Sequence, residues 1–214
     1  MPPMPTPPPP GAFWDERYRT DAYIYGEQST PYLVAQRERL RPRTTALVPG
    51  DGEGRDGVWL AEQGLDVTTV DVSAEGVHKA LELAQRRGVT LAAVQADLTT
   101  WDWPVETFDL VASIYLHLPP AARAAVHRRM AEALRPGGLL VIEAFRPEQV
   151  RFREAYGSVG GPQAVEMMMT EAMLREDFAD LDVVELASEE TDHGNDGAHR
   201  GRAAVVRGVF RRPA

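Results

Sequence analysis

The chain has 214 residues, is 43% hydrophobic and carries a formal net charge of −9. That is enough apolar matter for a full core, and a charge balance that argues against a nucleic-acid partner, whose phosphates require a clustered cationic face. Cysteine is absent, which excludes disulfides, thiolate zinc sites and cysteine nucleophiles. No apolar run approaches the ~20 residues needed to span a bilayer, and the start Met1-Pro2-Pro3-Met4-Pro5 has neither the basic region nor the apolar stretch of a secretory signal, so a cytoplasmic protein with no membrane partner is expected.

Residues 1–10 include seven prolines; without backbone donors they predict an extended tail over 1–12, ahead of a single domain over 13–214. The segment 13–40 opens that domain with Phe13, Trp14, Tyr18, Tyr23, Tyr25 and Tyr32, more aromatics than a solvated helix needs. Two readings are open: a helical cover on the sheet, or a lid whose aromatic faces close on a cationic ligand. In the second, Trp14 and Tyr18 face a cofactor and Tyr25 a substrate.

Thr44 to Val48 reads as a strand breaking into Gly50, Gly52 and Gly54, a loop stripped of side chains so that backbone can approach a ligand. A helix over 55–63 follows, stopped by Gly64, then a second strand over 65–71 that ends in the carboxylate of Asp71. A dinucleotide pyrophosphate needs G-x-G-x-x-G at a helix N-terminus. Here the third glycine comes one residue early and Arg55 stands where the last should be. The spacing therefore favours an adenosyl ligand without phosphates, of which S-adenosylmethionine is the usual one, and Asp71, about twenty residues downstream, is placed to accept from both ribose hydroxyls.

Ser73 reads as the N-cap of a helix through Arg87 that Gly88 ends. Strands follow over 89–95 and 108–114, the latter apolar enough to be buried on both faces. A helix over 121–134 stops at Pro136-Gly137-Gly138, and a fifth strand runs over 139–145. This alternation is that of βαβ units on a parallel sheet. A helix over 170–178 and two late strands near 181–186 and 203–210, with no long helix between them, predict an antiparallel edge. The expected fold is thus α/β, a doubly wound, mostly parallel seven-stranded sheet.

These elements resemble the class I S-adenosylmethionine-dependent methyltransferases, in particular the branch that includes the tellurite-resistance and bacterial thiopurine enzymes. The resemblance is carried by PGDGEGRDGVWLAEQG at 49–64, VDVS at 70–73, ADL at 96–98, HLPP at 117–120 and LRPGGLLVIEAF at 134–145. It implies that Gly50, Gly52 and Gly54 border the methionine and ribose of the cofactor, that Asp71 holds the ribose, and that Asp97 faces the adenine amino group, which is a donor. Arg55, Val72, Leu98 and Ile114 complete the implied cofactor set. The family often has an acid two positions before the first glycine, where this chain has Val48 and then Pro49. Contact with the cofactor ammonium then falls to backbone carbonyls, Asp51 or Glu53.

Transfer from a sulfonium asks the protein mainly to align a nucleophile and exclude water, which points to residues at the carboxyl ends of the strands. His117 either acts as a base or orients a thiol, or it stabilises the Pro119-Pro120 turn. Glu143, inside a core strand, must be paired or face the pocket; Arg146 is the expected partner and a candidate substrate contact. The resemblance also implies a His-Arg pair before the last strand. His199-Arg200 stands there, where a cation beside the acceptor favours its anion, or alternatively caps a surface hairpin. His78 and His127 read as solvent-facing, and Met167-Met168-Met169 as core packing rather than a soft pocket lining. No metal is expected in the turn 192–200, whose Asp and Asn serve the backbone. The reading is a methyltransferase acting on a small molecule with a sulfur, selenium or tellurium nucleophile, as a monomer or homodimer. An O- or N-methyltransferase and a non-catalytic adenosyl-binding module are the alternatives.

Overall fold

The computed structural model describes residues 11–41, 43–194 and 197–214. Most of the expected tail lies outside the described residues; Gly11 precedes helix α1 (Ala12–Tyr18), and a Cβ there would collide with the carbonyl of Val72. Two short helices, α2 (Pro31–Ala35) and α3 (Arg37–Leu40), lead to strand β1 (Thr45–Pro49). Then come α4 (Arg55–Glu62), β2 (Asp66–Asp71), α5 (Ala74–Arg87), β3 (Ala92–Gln95) and β4 (Phe108–Ile114). The second half holds α6 (Pro120–Ala133), β5 (Leu134–Phe145), α7 (Gln149–Tyr156), α8 (Glu171–Asp177), β6 (Asp182–Asp192) and β7 (Arg202–Arg211).

The seven strands form one sheet in the order β3-β2-β1-β4-β5-β7-β6. β1 to β5 run parallel, and β7 is antiparallel to both β5 and β6. Strand alternation divides the core between the two faces of this sheet. Ala46, Val48, Leu110 and Ala112 point to the side of Leu33, Leu40, Trp59 and Leu60, whereas Leu47, Val111, Leu140 and Ile142 point to the side of Val126, Met130, Leu174 and Phe178. Helices α2 to α4 therefore cover one face, and α6 and α8 the other.

Local chemistry sets the boundaries. The Ser73 hydroxyl accepts from the Gly76 N–H at 3.0 Å and Gly88, at φ 69°, ends α5 in the left-handed region. β5 starts five residues before the expected strand, and the register against β4 shifts between Phe108 and Leu110. Gly137 and Gly138 are held there by Arg212, whose carbonyl and N–H they pair with at 2.9 Å each. β6 is longer than expected because its second half, Ser188 to Asp192, pairs with β7 while facing solvent, and an edge strand of polar residues lacks the apolar alternation that marks a strand in sequence.

Two expectations about single residues are corrected. His127 is buried, not solvent-facing: its Nδ1 lies 2.7 Å from the Asp177 carboxylate, which Arg123 also reaches at 2.7 Å, and its ring stacks on Phe178. Glu143 pairs with Arg207, at 2.8 Å, rather than with Arg146. Arg207 reaches it because β7 lies antiparallel beside β5 with Glu143 directly opposite Arg207.

Candidate functional site

At the carboxyl ends of β1, β2 and β4 the glycine loop, the aromatic N-terminal segment and the loop 158–164 enclose a cleft of about 1080 Å³. Gly50, at φ 69°, turns the chain off β1, and a Cβ there would lie 2.7 Å from Leu116 Cδ1. Gly52, at φ 59°, donates its N–H to Asp71 Oδ2 at 2.8 Å, and a Cβ would come within 2.6 Å of the Tyr18 hydroxyl. Both positions favour glycine for conformation; at Gly52 the Tyr18 ring also leaves no space, whereas Leu116 Cδ1 beside Gly50 is the end of a side chain that can turn aside. Gly54 differs from both, since its Cβ would meet Ala80 at 2.6 Å; it lets α4 approach α5 and does not line the cleft.

Asp71 is buried, and its two oxygens accept from Gly52 and from the Ser73 N–H at 2.9 Å. Burial pushes its carboxyl up, against the pull of those two bonds. Trp14, Tyr18, Gly50, Gly52, Arg55, Asp71 and Val72 line the cleft, as do Asp97, Leu98 and Ile114. Asp97 Oδ1 accepts from the N–H and hydroxyl of Thr99 at 2.8 and 2.7 Å. A flat, charged adenosyl group fits this end of the cleft: bare main chain at two glycines, an acid at the tip of β2, a second acid after β3, and the stacked Trp14 and Tyr18 rings, 5.6 Å between centroids.

Of the two carboxylates that could replace the acid missing at Val48, Glu53 is held by Lys79 Nζ at 2.6 Å. Asp51 accepts from Thr69 Oγ1 at 2.9 Å and from the Gly57 N–H at 3.2 Å, with no cation partner among the described residues. Burial, then the charge of Asp56, raise its carboxyl to about 7.

Tyr25, His117 and His199 line the cleft as well. His117 is fully engaged by backbone: Nδ1 donates to the Tyr115 carbonyl at 2.9 Å and Nε2 accepts from the Phe145 N–H at 3.1 Å. Burial lowers it to about 4. It fastens the loop after β4 to the end of β5 and has no free nitrogen with which to take a proton. His199 differs. Its ring packs against Tyr25 and Tyr115, at 4.7 Å each, and Phe145, at 5.0 Å, and its buried Nδ1 has no partner among the described residues. Burial and then the nearby Arg55 hold it well below the usual imidazole range, so it is neutral.

Two expected site residues stand elsewhere. Arg200 is exposed and absent from the cleft lining, and its backbone pairs with Val159 in an isolated antiparallel bridge, whereas Ala198 and His199 before it line the cleft. Arg146 follows Phe145, which lines the cleft, but is itself absent from that lining, with its N–H on the Ala204 carbonyl and Glu148 3.7 Å away.

Sequence reasoning passed over Tyr115, Phe145 and the segment Ser158–Pro162, all of which line the cleft; of the three methionines expected in the core, Met168 and Met169 are buried there and Met167 lines the cleft instead. Tyr115 sits at φ 55°, a left-handed conformation uncommon in a tyrosine, and its hydroxyl lies 3.2 Å from His193 Nε2. The signal that could have found the segment is Gly160-Gly161: a Cβ on the first would lie 2.6 Å from Phe145 Cζ. Glycines there mark close approach to the site.

Residues 46–138 match the family model described as "Methyltransferase domain". Over 152 residues the chain is 32% identical to a thiopurine S-methyltransferase of Pseudomonas fluorescens (strain SBW25), covering 60% of this chain and 69% of that protein. It is 34% identical over 104 residues to thiocyanate methyltransferase 1 of Brassica oleracea, covering 47% of this chain and 46% of the relative, so the match spans about half of that protein's length. The fold superposes, with a TM-score of 0.71 and 24% identity over 95% of this chain and 93% of the other, on a structure solved in work on the conversion of a disulfide bond into a thioacetal group during echinomycin biosynthesis.

Proposed function

Because the chain belongs to the class I S-adenosylmethionine-dependent methyltransferases, we propose that it moves the methyl group of that donor onto a sulfur, selenium or tellurium nucleophile of a small molecule. The observation that carries the choice of acceptor is the division of charge in the cleft. Its carboxylates, Asp51, Glu53, Asp56, Asp71 and Asp97, all come from the glycine loop, the start of α4 and the tips of β2 and β3. The opposite end is built of Tyr115, Phe145, Met167, Gly160 and His199, bordered by Arg55, whose guanidinium is shared with Asp56 at 3.3 Å and the Tyr25 carbonyl at 2.9 Å. An amine acceptor asks for a carboxylate to receive its proton; among the described residues none lines that end, and Glu143, behind Tyr115, is paired with Arg207 at 2.8 Å. A soft anion is favoured by aromatic and thioether surfaces and by a neighbouring cation. The sulfur acceptors named in the thiocyanate and thiopurine relatives point the same way.

The donor, when bound, supplies a methyl group on a positively charged sulfur. Asp71 receives the ribose and Asp97 the adenine edge, while Asp51 faces the ammonium in place of the acid that Val48 replaces. The 13–40 segment closes over them as a lid, with Trp14 and Tyr18 toward the donor and Tyr25 toward the acceptor. His199, neutral and open at one nitrogen, orients the acceptor by a hydrogen bond. Its depressed basicity means that the nucleophile arrives ionised, assisted by Arg55.

The test is release of S-adenosylhomocysteine across a panel of thiols, selenite, tellurite, phenols and amines. Turnover is expected with the sulfur and chalcogen acceptors, and His199→Ala is expected to lower kcat/KM roughly 10- to 100-fold, the effect of losing one orienting hydrogen bond, with donor affinity unchanged. Turnover confined to amines or phenols, or full thiol turnover by His199→Ala, defeats the acceptor assignment.

A further inference from the structure

Lys79 lies on the inner face of α5, away from the acceptor end, and is 6% exposed. A buried ammonium is costly unless every proton finds an acceptor. Here Nζ donates to the carbonyls of Tyr18, Thr20 and Ala22 at 3.2, 2.9 and 2.7 Å, and to Glu53 Oε1 at 2.6 Å. It also lies 4.8 Å from the centre of the Tyr23 ring, whose hydroxyl donates back to the Lys79 carbonyl at 2.7 Å. The three carbonyls belong to the chain that leaves α1, and Glu53 belongs to the glycine loop. The other Glu53 oxygen accepts from the Tyr25 N–H at 3.3 Å. One side chain thus fastens the aromatic segment at both of its cleft-facing tyrosines to the loop that underlies the donor. Simple packing of a cover onto α5 would need no buried charge, and Tyr18 already fills the space over Gly52.

We infer that Lys79, through its ion pair with Glu53, is a positioning residue for the methyl donor: it makes the order of the Tyr18–Tyr25 wall and the geometry of the glycine loop a single coupled event. The inference rests on the donor assignment above. Lys79 does not line the cleft and touches neither reactant; it acts on the donor side through Tyr18 and the glycine loop, and reaches the acceptor side only through the Tyr25 N–H that Glu53 holds.

The experiment combines titration calorimetry with S-adenosylhomocysteine and hydrogen exchange over residues 13–26, on the wild-type chain, Lys79→Met, Glu53→Gln and the double variant. In the wild type, ligand binding is expected to slow exchange over 13–26. Lys79→Met is expected to raise the dissociation constant tenfold or more and to leave 13–26 exchanging fast with or without ligand. The acceptor KM at saturating donor is expected to rise by less than the donor dissociation constant, because only Tyr25 carries the change to that end. The double variant should bind no more weakly than Lys79→Met, because both changes cut the same link. Unchanged affinity in Lys79→Met, a matching rise in acceptor KM, or wild-type binding that leaves exchange over 13–26 untouched overturns the inference. If Lys79→Met loses its helical circular dichroism, the wild-type exchange experiment and Glu53→Gln decide, the latter by a rise in donor dissociation constant or its absence. A wild-type chain that binds no S-adenosylhomocysteine removes the donor assignment itself, and the coupling with it.

Discussion

Gly52 and Gly64 separate two reasons for a glycine. Both have positive φ, 59° and 90°, but a Cβ on Gly52 would strike the Tyr18 hydroxyl, whereas at Gly64 nothing lies within 4 Å. Alanine at either position carries a left-handed backbone penalty of about 1 kcal/mol. Only Gly52→Ala is expected to weaken S-adenosylhomocysteine binding, by roughly tenfold, about 1.4 kcal/mol; Gly64→Ala should lose stability and keep affinity. Equal affinity losses in a calorimetric titration would mean that space over Gly52 is not what matters. At this scale the sequence is legible where a residue's neighbours along the chain decide its role, as at Gly50, Gly52 and Asp71. It misleads where the path of the backbone decides between neighbours: His199 enters the cleft and Arg200 leaves it, Phe145 enters and Arg146 leaves. His117 resembles a free base in sequence because nothing local announces that its two ring nitrogens meet the Tyr115 carbonyl and the Phe145 N–H.

Among the elements, the start of β1 is fixed by Asp109 at the start of β4. Its Oδ2 accepts from the Thr44 N–H and hydroxyl at 2.9 and 2.7 Å and from the Thr45 N–H at 3.2 Å. Burial alone would raise this carboxyl, but those bonds and Arg135 pull it from 3.8 down to about 2. A depressed carboxyl contributes stability that is present above its unfolded value and disappears as pH falls through the folded one. The contribution is therefore full above about pH 4 and lost by about pH 2. Its size is about 2 kcal/mol at pH 7. Asp109→Asn should lower the urea midpoint at pH 7, and the gap to wild type should close as pH drops through that window; a gap that persists at about pH 2 contradicts the assignment. The elements themselves are largely legible: the cap at Ser73 and the stop at Gly88 are local devices. α7 and the early part of β5 are not, since Pro136 and Gly137 read as a break and are carried into the strand by the flanking pairs Leu134–Phe108 and Leu139–Leu110 and by the bonds of Gly137 and Gly138 to Arg212.

For the whole molecule, the cleft draws on the N-terminal segment, the glycine loop, the ends of four strands and the loop before Pro162, and a ligand that fills its donor end joins the N-terminal segment to the glycine loop and the ends of β2 and β3. Binding to the folded state alone stabilises by ~2.7 kcal/mol at a hundred times the dissociation constant. For a chain of this size that corresponds to a rise of roughly 5–10 °C in Tm. S-adenosylhomocysteine should give that rise in a thermal melt, and adenosine without the amino-acid part a smaller one; equal shifts would argue against a role for the ammonium end at Asp51. Among the described residues no helix is long and apolar enough to cross a membrane.

The sequence by itself determined the alternating strands and helices, the antiparallel close, the glycine loop and the acid at the tip of β2. Each is written in residues a few positions apart, where hydrophobic period, caps and glycine spacing act. Only the tertiary structure decided which carboxylates are already neutralised, that Arg207 rather than Arg146 answers Glu143, that His127 is buried on Asp177, and that Lys79 ties the aromatic segment to the glycine loop. Those pairings join residues 26 to 64 positions apart. Nothing in a local pattern encodes them, because they arise from which strands lie side by side and which face of each the core requires.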